Sequence, residues 1–191
     1  YIWSRNLSNK DKLSIETMAG IIYPERVGDL VKVDMGEPII EARLIPVDMD
    51  GVVINHPLII DEHEFKITSL SMGNPHTVIV VEQLGSFPVH IYGPSIERHP
   101  LFPKRTNVEF INIRDSSTID MRVWERGAGE TMACGTGACA AAVASNLLGL
   151  VDRDTKVRLP GGELLINWSE DDNHVYMTGP AVEVFIGHIE L

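Results

Sequence analysis

The sequence predicts a strand-rich α/β (α+β) fold in which sheet wraps around one central helix. Short alternating segments dominate the chain, one alanine-rich stretch has helical character, and Gly-Pro pairs punctuate the remainder. Leu13-Ser14-Ile15-Glu16-Thr17, Leu30-Val31-Lys32-Val33-Asp34-Met35 and Phe65-Lys66-Ile67-Thr68 alternate apolar and polar residues, as strands with one buried face do. Ile119-Asp120-Met121-Arg122-Val123-Trp124 and Leu164-Leu165-Ile166-Asn167-Trp168 follow the same pattern. His76-Thr77-Val78-Ile79-Val80-Val81 is more continuously apolar, which predicts burial on both faces. Helical candidates are few: Ala138 to Leu148 behind Cys134, Pro94 to Arg98, and Tyr1 to Asn6. Gly93-Pro94 and Gly179-Pro180 read as turns.

The uncharged stretch from Thr131 to Val151 is long enough to raise the question of a membrane helix. It is rich in Ala and Gly and carries Thr136, Ser145 and Asn146, so it is weakly hydrophobic for lipid. Small residues on all sides suit a helix enclosed by sheet instead.

Composition narrows the partners. A length of 191 residues allows one ordinary domain or two small ones. With 44% hydrophobic and 23% charged residues the chain has the balance of a folded globular protein. A net charge of −11 and a pI near 5.0 argue against nucleic acid and anionic membrane as main partners. Two cysteines without a CxxC pair make neither a disulfide framework nor a zinc ribbon, and a reducing, cytoplasmic setting is the simpler reading. No signal-peptide pattern opens the chain.

Leu7-Ser8-Asn9-Lys10-Asp11 resembles Leu150-Val151-Asp152-Arg153-Asp154, each ahead of an alternating strand, and the same offset sets Gly36 on Gly179. Chance similarity of loops is the alternative. A true repeat would align Tyr1 to Asn6 with the end of the Cys134 helix, so that the chain begins partway through a first helix.

The segment from Glu125 to Gly137 concentrates the chemistry. Cys134 stands at the head of the alanine-rich helix, where backbone N–H groups lack internal partners and attract anions. The same field favours thiolate, so the sulfur is expected to serve as a base or nucleophile near neutral pH. The plainer reading of a free cysteine is a small buried hydrophobe. Against it, Gly135-Thr136-Gly137 permits close backbone approach. Cys139, rotated about 140° and raised about 7.5 Å along the helix, cannot flank the same ligand and is expected to pack in the core. In Gly73-Asn74-Pro75-His76, a turn into a buried strand is the plain reading, but the Asn74 amide can donate and accept, and His76 can orient or polarise a neighbour. Glu125-Arg126 is either a surface ion pair or a pair that recognises a zwitterion. Asn107 enters a strand. The other histidines show no metal-ligand spacing.

Gly73-Asn74-Pro75-His76, Thr106-Asn107-Val108-Glu109-Phe110, Trp124-Glu125-Arg126-Gly127 and Ala133-Cys134-Gly135-Thr136-Gly137-Ala138-Cys139 resemble, in order, the signature blocks of diaminopimelate epimerases. Leu159-Pro160-Gly161-Gly162 and Met177-Thr178-Gly179-Pro180-Ala181 resemble that family's closing blocks.

The resemblance implies a cofactor-independent, metal-free isomerase that inverts one α-carbon of LL-diaminopimelate to the meso form, a precursor of lysine and peptidoglycan. It implies two pseudo-symmetric lobes, each a sheet around a central helix, with this small-molecule amino acid held between them, and a cytoplasmic homodimer. By the same resemblance Cys134 is one of two catalytic cysteines and His76 is the active-site histidine. Gly135 and Thr136 would offer N–H groups to the reacting carboxylate, and Asn74, Asn107, Glu125 and Arg126 would hold substrate, Arg126 on the distal carboxylate. The family's Cys-Gly-Asn-Gly-type block with the other cysteine has no counterpart here. Residues 35–180 are therefore expected to form the second lobe, with 1–34 and 181–191 belonging to the first, and the chain is expected to be incomplete for catalysis. Rival readings are a proline racemase-like enzyme of the same fold, a Cys-His thiol hydrolase and a non-catalytic amino-acid-binding module.

Overall fold

The computed structural model describes residues 1–18 and 20–189. Thirteen strands and two α-helices are present among them: β1 (Ile15–Thr17), β2 (Gly20–Ile22), β3 (Pro24–Val27), β4 (Leu30–Asp34), β5 (His56–Ile60), β6 (His63–Ser71), β7 (Pro75–Val80), α1 (Val89–Glu97), β8 (Asn107–Asp115), β9 (Thr118–Glu125), β10 (Gly129–Thr131), α2 (Gly135–Leu147), β11 (Asp154–Leu159), β12 (Gly162–Trp168) and β13 (Val175–Gly179). β1 and β2 form a hairpin of their own. The rest build one sheet in the order β3-β4-β13-β12-β11-β9-β8-β7-β6-β5, with β10 paired to β9.

Two crossovers organise the sheet. β7 and β8 pair in parallel through α1, and β9 and β11 pair in parallel through α2. The two helices cover opposite faces. Val78, Ile111, Ile119, Met121 and Val123 pack on the α2 side, whereas Ile79, Val108 and Phe110 join the core that contains Val89 and Ile96 of α1. β7 and β8 are therefore buried on both faces, as the apolar run at 76–81 predicts.

α2 is enclosed by sheet, touching β6, β7, β8, β9, β11, β12 and β13. Ala138, Cys139, Ala140, Ala141 and Ala144 are fully buried, because only small side chains let strands approach a helix from every side. Alanine also has the best intrinsic helix propensity, so enclosure and local preference agree. The helix stops at Gly149, whose left-handed backbone (φ 70°) lets Gly149 N–H donate to Asn146 O and Leu150 N–H donate to Ser145 O. No helix among the described residues is long and apolar enough to cross a membrane.

All of the predicted strands form, with ends shifted by up to three residues. The helix predicted at 94–98 is longer and spans Val89–Glu97, so Gly93-Pro94, read in sequence as a turn, lies inside it. Tyr1 to Asn6 closes as turns rather than a helix, with Arg5 N–H donating to Tyr1 O at 3.0 Å. β5 has no counterpart in the sequence reading, since Pro57 breaks its pattern. The repeat has a register equivalent: β3 and β4 pair Pro24 with Val33, and 143 positions on, β12 and β13 pair Asn167 with Tyr176.

Candidate active site

Topology gathers the predicted residues at one end of the sheet. β7 and β8 run in parallel with His76 opposite Asn107, so both strand starts lie together. β9 is antiparallel to β8, which brings its end, Glu125, to the same place. The short β10 returns from there, and the chain enters α2 through Cys134. Gly161 N–H donates to Met132 O at 2.7 Å, and a Cβ at Gly161 would meet that oxygen at 3.0 Å. The β11–β12 turn thus holds the segment leading to the cysteine, and glycine is what lets it close.

Cys134 is the N-cap of α2, with extended backbone (φ −142°, ψ 110°) and little exposure, 8%. Its Sγ lies 3.6 Å from Thr136 Oγ1. Burial pushes the thiol up to about 11, while the Thr136 hydrogen bond and the Gly137 N–H pull it down and the Glu109 and Glu125 carboxyls, where ionised, push it further up. Burial thus works against the thiolate that the helix terminus favours. Gly135 and Thr136 are half-buried in the first turn, where N–H groups have no intrahelical acceptor.

A line of side chains reaches from Cys134 into the core. Asn74 Nδ2 donates to Thr136 Oγ1 at 3.3 Å, and Asn74 Oδ1 lies 3.0 Å from His76 Nε2. His76 Nδ1 lies 2.7 Å from Oε1 of Glu109, and both side chains are fully buried. Burial pushes the Glu109 carboxyl above the ordinary carboxylate range, against the opposing pull of His76.

The remaining residues are positioned differently. Asn107 is buried and clamps backbone, its Nδ2 donating to Pro75 O and its Oδ1 accepting from Arg126 N–H, both at 2.9 Å. Its side chain ties the Asn74 turn to the Glu125–Arg126 turn, so it shapes the site from behind. Glu125 is half-buried and accepts from the Thr131 hydroxyl. Arg126 is exposed, with Nη1 donating to Lys104 O at 3.0 Å. Behind this turn, Glu97 of α1 accepts from Trp124 Nε1 at 2.8 Å and from Gly127 N–H at 3.2 Å.

Cys139 is fully buried in the α2 core, apart from the site, and burial pushes its thiol up to about 12. One site residue escaped the sequence reading: Glu109, though a carboxyl inside the otherwise apolar Val108–Ile111 run was a readable signal. At Gly137, read in sequence as permitting close approach, a Cβ would lie 2.8 Å from Glu109 Oε1 and 3.2 Å from Cys134 Sγ, partners that only folding brings there.

A sheet wrapped on a helix is a fold with solved relatives. The structure is similar, at a TM-score of 0.62 and 16% identity, to a hydroxyproline epimerase from Agrobacterium vitis, over 91% of this chain and 58% of that one. At that identity the likeness is one of fold. Sequence is more specific: residues 68–184 match the family model described as diaminopimelate epimerase. The chain is 52% identical over its whole length to a diaminopimelate epimerase of Acetivibrio thermocellus, covering 70% of that relative. It is 49% identical to one from Methanococcus maripaludis, covering 71% of it. The chain belongs to the diaminopimelate epimerase family, and is an isomerase.

Proposed function

We propose that this chain supplies one proton-transferring face for inversion of an α-carbon of diaminopimelate, with Cys134 as the transferring group. The observation that carries the reading is the placement of a thiol at a helix N-cap, beside first-turn N–H groups. The substrate α-carboxylate docks on Gly135 and Thr136 N–H, each such charged hydrogen bond contributing about 1.5–3 kcal/mol as negative charge develops. A base on the opposite face removes the α-proton. Cys134 then gives its S–H proton to the α-carbon: the S–H bond breaks, a C–H bond forms, and the sulfur is left as thiolate. In the reverse direction the thiolate takes the proton back.

Asn74 orients the reacting end. Glu125 takes the distal ammonium and Arg126 the distal carboxylate, with Asn107 fixing the turn that presents them. Two charged groups at the far end favour diaminopimelate over proline, whose side chain offers none. The inversion needs neither metal nor organic cofactor, since thiol, thiolate and N–H donors account for each proton and charge. We further propose that residues 35–180 form one lobe, that 1–34 and 181–191 belong with another, and that the protein works as a homodimer in the cytoplasm.

Cys139 cannot serve as the second base, being sealed in the core. The 191 residues alone are therefore expected not to invert substrate. In D2O, LL-diaminopimelate incubated with this chain should show no inversion with deuterium uptake, and catalytic inversion by it would sink the one-face reading.

A further inference from the structure

Glu109 takes no part in the proton transfer above, yet it is a fully buried carboxyl beside the site. Its Oε2 makes no hydrogen bond of good geometry among the described residues, although the Glu109 and Thr77 backbone groups pull the carboxyl down, and its Oε1 lies 2.8 Å from where a Cβ on Gly137 would stand and 2.7 Å from His76 Nδ1. An ionised carboxylate with one bare buried oxygen bears a large desolvation cost, whereas a neutral acid leaves only a carbonyl oxygen unpaired. The neutral acid donates from Oε1 to His76 Nδ1, and His76 must then carry its own hydrogen on Nε2.

The rest of the line is polarised by that choice. His76 Nε2–H donates to Asn74 Oδ1 at 3.0 Å. The amide is thereby oriented so that Nδ2 donates to Thr136 Oγ1 at 3.3 Å. Having accepted there, the Thr136 hydroxyl turns its own hydrogen to Cys134 Sγ, 3.6 Å away. Moving the shared proton from Glu109 to His76 leaves Nε2–H in place and the direction unchanged. The opposite polarity arises only if a bare Nε2 faces Asn74. The amide then flips, Thr136 donates to Asn74, and the sulfur loses its donor.

We infer that Glu109 is a positioning residue: it keeps a hydrogen on His76 Nε2 and so points a hydrogen-bond donor, through Asn74 and Thr136, at the Cys134 sulfur. The inference rests on the reading of Cys134 as the proton-transferring group. The asparagine amide orients donors and does not conduct a proton, so the line stabilises the thiolate left after transfer without supplying the proton itself. A neutral Glu109 also spares that thiolate a nearby negative charge.

The first test needs no substitution in the protein observed. Proton–nitrogen correlation spectra of the imidazole rings, with His76 assigned by its loss in His76→Asn, should show hydrogen on Nε2 at neutral pH. A bare Nε2 overturns the inference. The second test follows Cys134 alkylation by iodoacetamide against pH. Glu109→Leu should slow the reaction at a given pH by about three- to tenfold, and Glu109→Gln, whose amide can donate to Nδ1, should restore it. An unchanged rate in the leucine variant, or a glutamine variant as slow as leucine, overturns it. Neither readout uses turnover: catalytic inversion in the deuterium assay would sink the one-face reading while leaving both of these readouts as they are.

Discussion

Cys134 caps the N-terminus of α2 and Cys139 lies in its second turn, and the two thiols meet opposite surroundings. Cys134 has a hydroxyl and an N–H in reach and keeps a slight exposure, 8%. Cys139 is packed among alanines and strand side chains with no exposure. Both thiols are held protonated, toward about 11 and about 12. The difference lies in access and in partners rather than in resting ionisation. A helix terminus is often credited with making a thiolate, but here enclosure by the sheet outweighs it.

The largest expected effect tests access. Native-state alkylation should fall almost entirely on Cys134, so Cys134→Ala should abolish labelling while Cys139→Ala leaves it. Cys139 reacts only through opening of the core, at least about 100-fold more slowly. Because the Cys134 pKa is raised, the labelling rate should climb about tenfold per pH unit above neutrality, levelling only near pH 11. Mass spectrometry of labelled peptides reads both, and equal labelling of the two cysteines would dissolve the contrast. The linked stability effect has a definite sign. Thiols with raised folded-state pKa values leave stability intact below the unfolded value and withdraw it as pH rises toward 11–12.

A middle-sized effect probes how tightly the first turn is packed. Gly137→Ala must displace the Glu109 carboxyl and the Cys134 sulfur, costing about 1–3 kcal/mol of overpacking, offset by about 1 kcal/mol of helix propensity. Gly135→Ala meets only the end of the Met177 side chain, with Sδ at 3.0 Å, and should be close to neutral. Urea unfolding of the two variants measures the gap, and a Gly137→Ala protein as stable as Gly135→Ala would contradict the packing. The smallest effect belongs to the hydroxyl. Thr136→Val removes the donor to Cys134 and should raise the alkylation midpoint by about 0.5–1 pH unit. An unmoved midpoint would assign that hydrogen bond no influence on the sulfur.

Much of the molecule was legible in advance because its signals are local. Alternation marked β4, β6, β9 and β12, and an uncharged run of small residues marked α2 as enclosed. β5 and the first turn of α1 were not legible, since Pro57 and the Pro88 cap interrupt the patterns that periodicity reads. Within the site, the Gly135-Thr136-Gly137 sequence pointed to Cys134. The clamp made by Asn107 could not be read, because Pro75 and Arg126 reach it only through strand pairing.

The sequence by itself determined which residues could do chemistry here, the helix on which the cysteine sits, and the family to which the chain belongs. Those follow from residue type and short spacing. Only the tertiary structure decided the surroundings of each group. Burial pushed the Cys134 thiol up, pairing set Glu109 on His76, and sheet order turned separate blocks into one line of side chains. Desolvation and hydrogen-bond direction depend on what surrounds an atom, and that is a property of the folded chain.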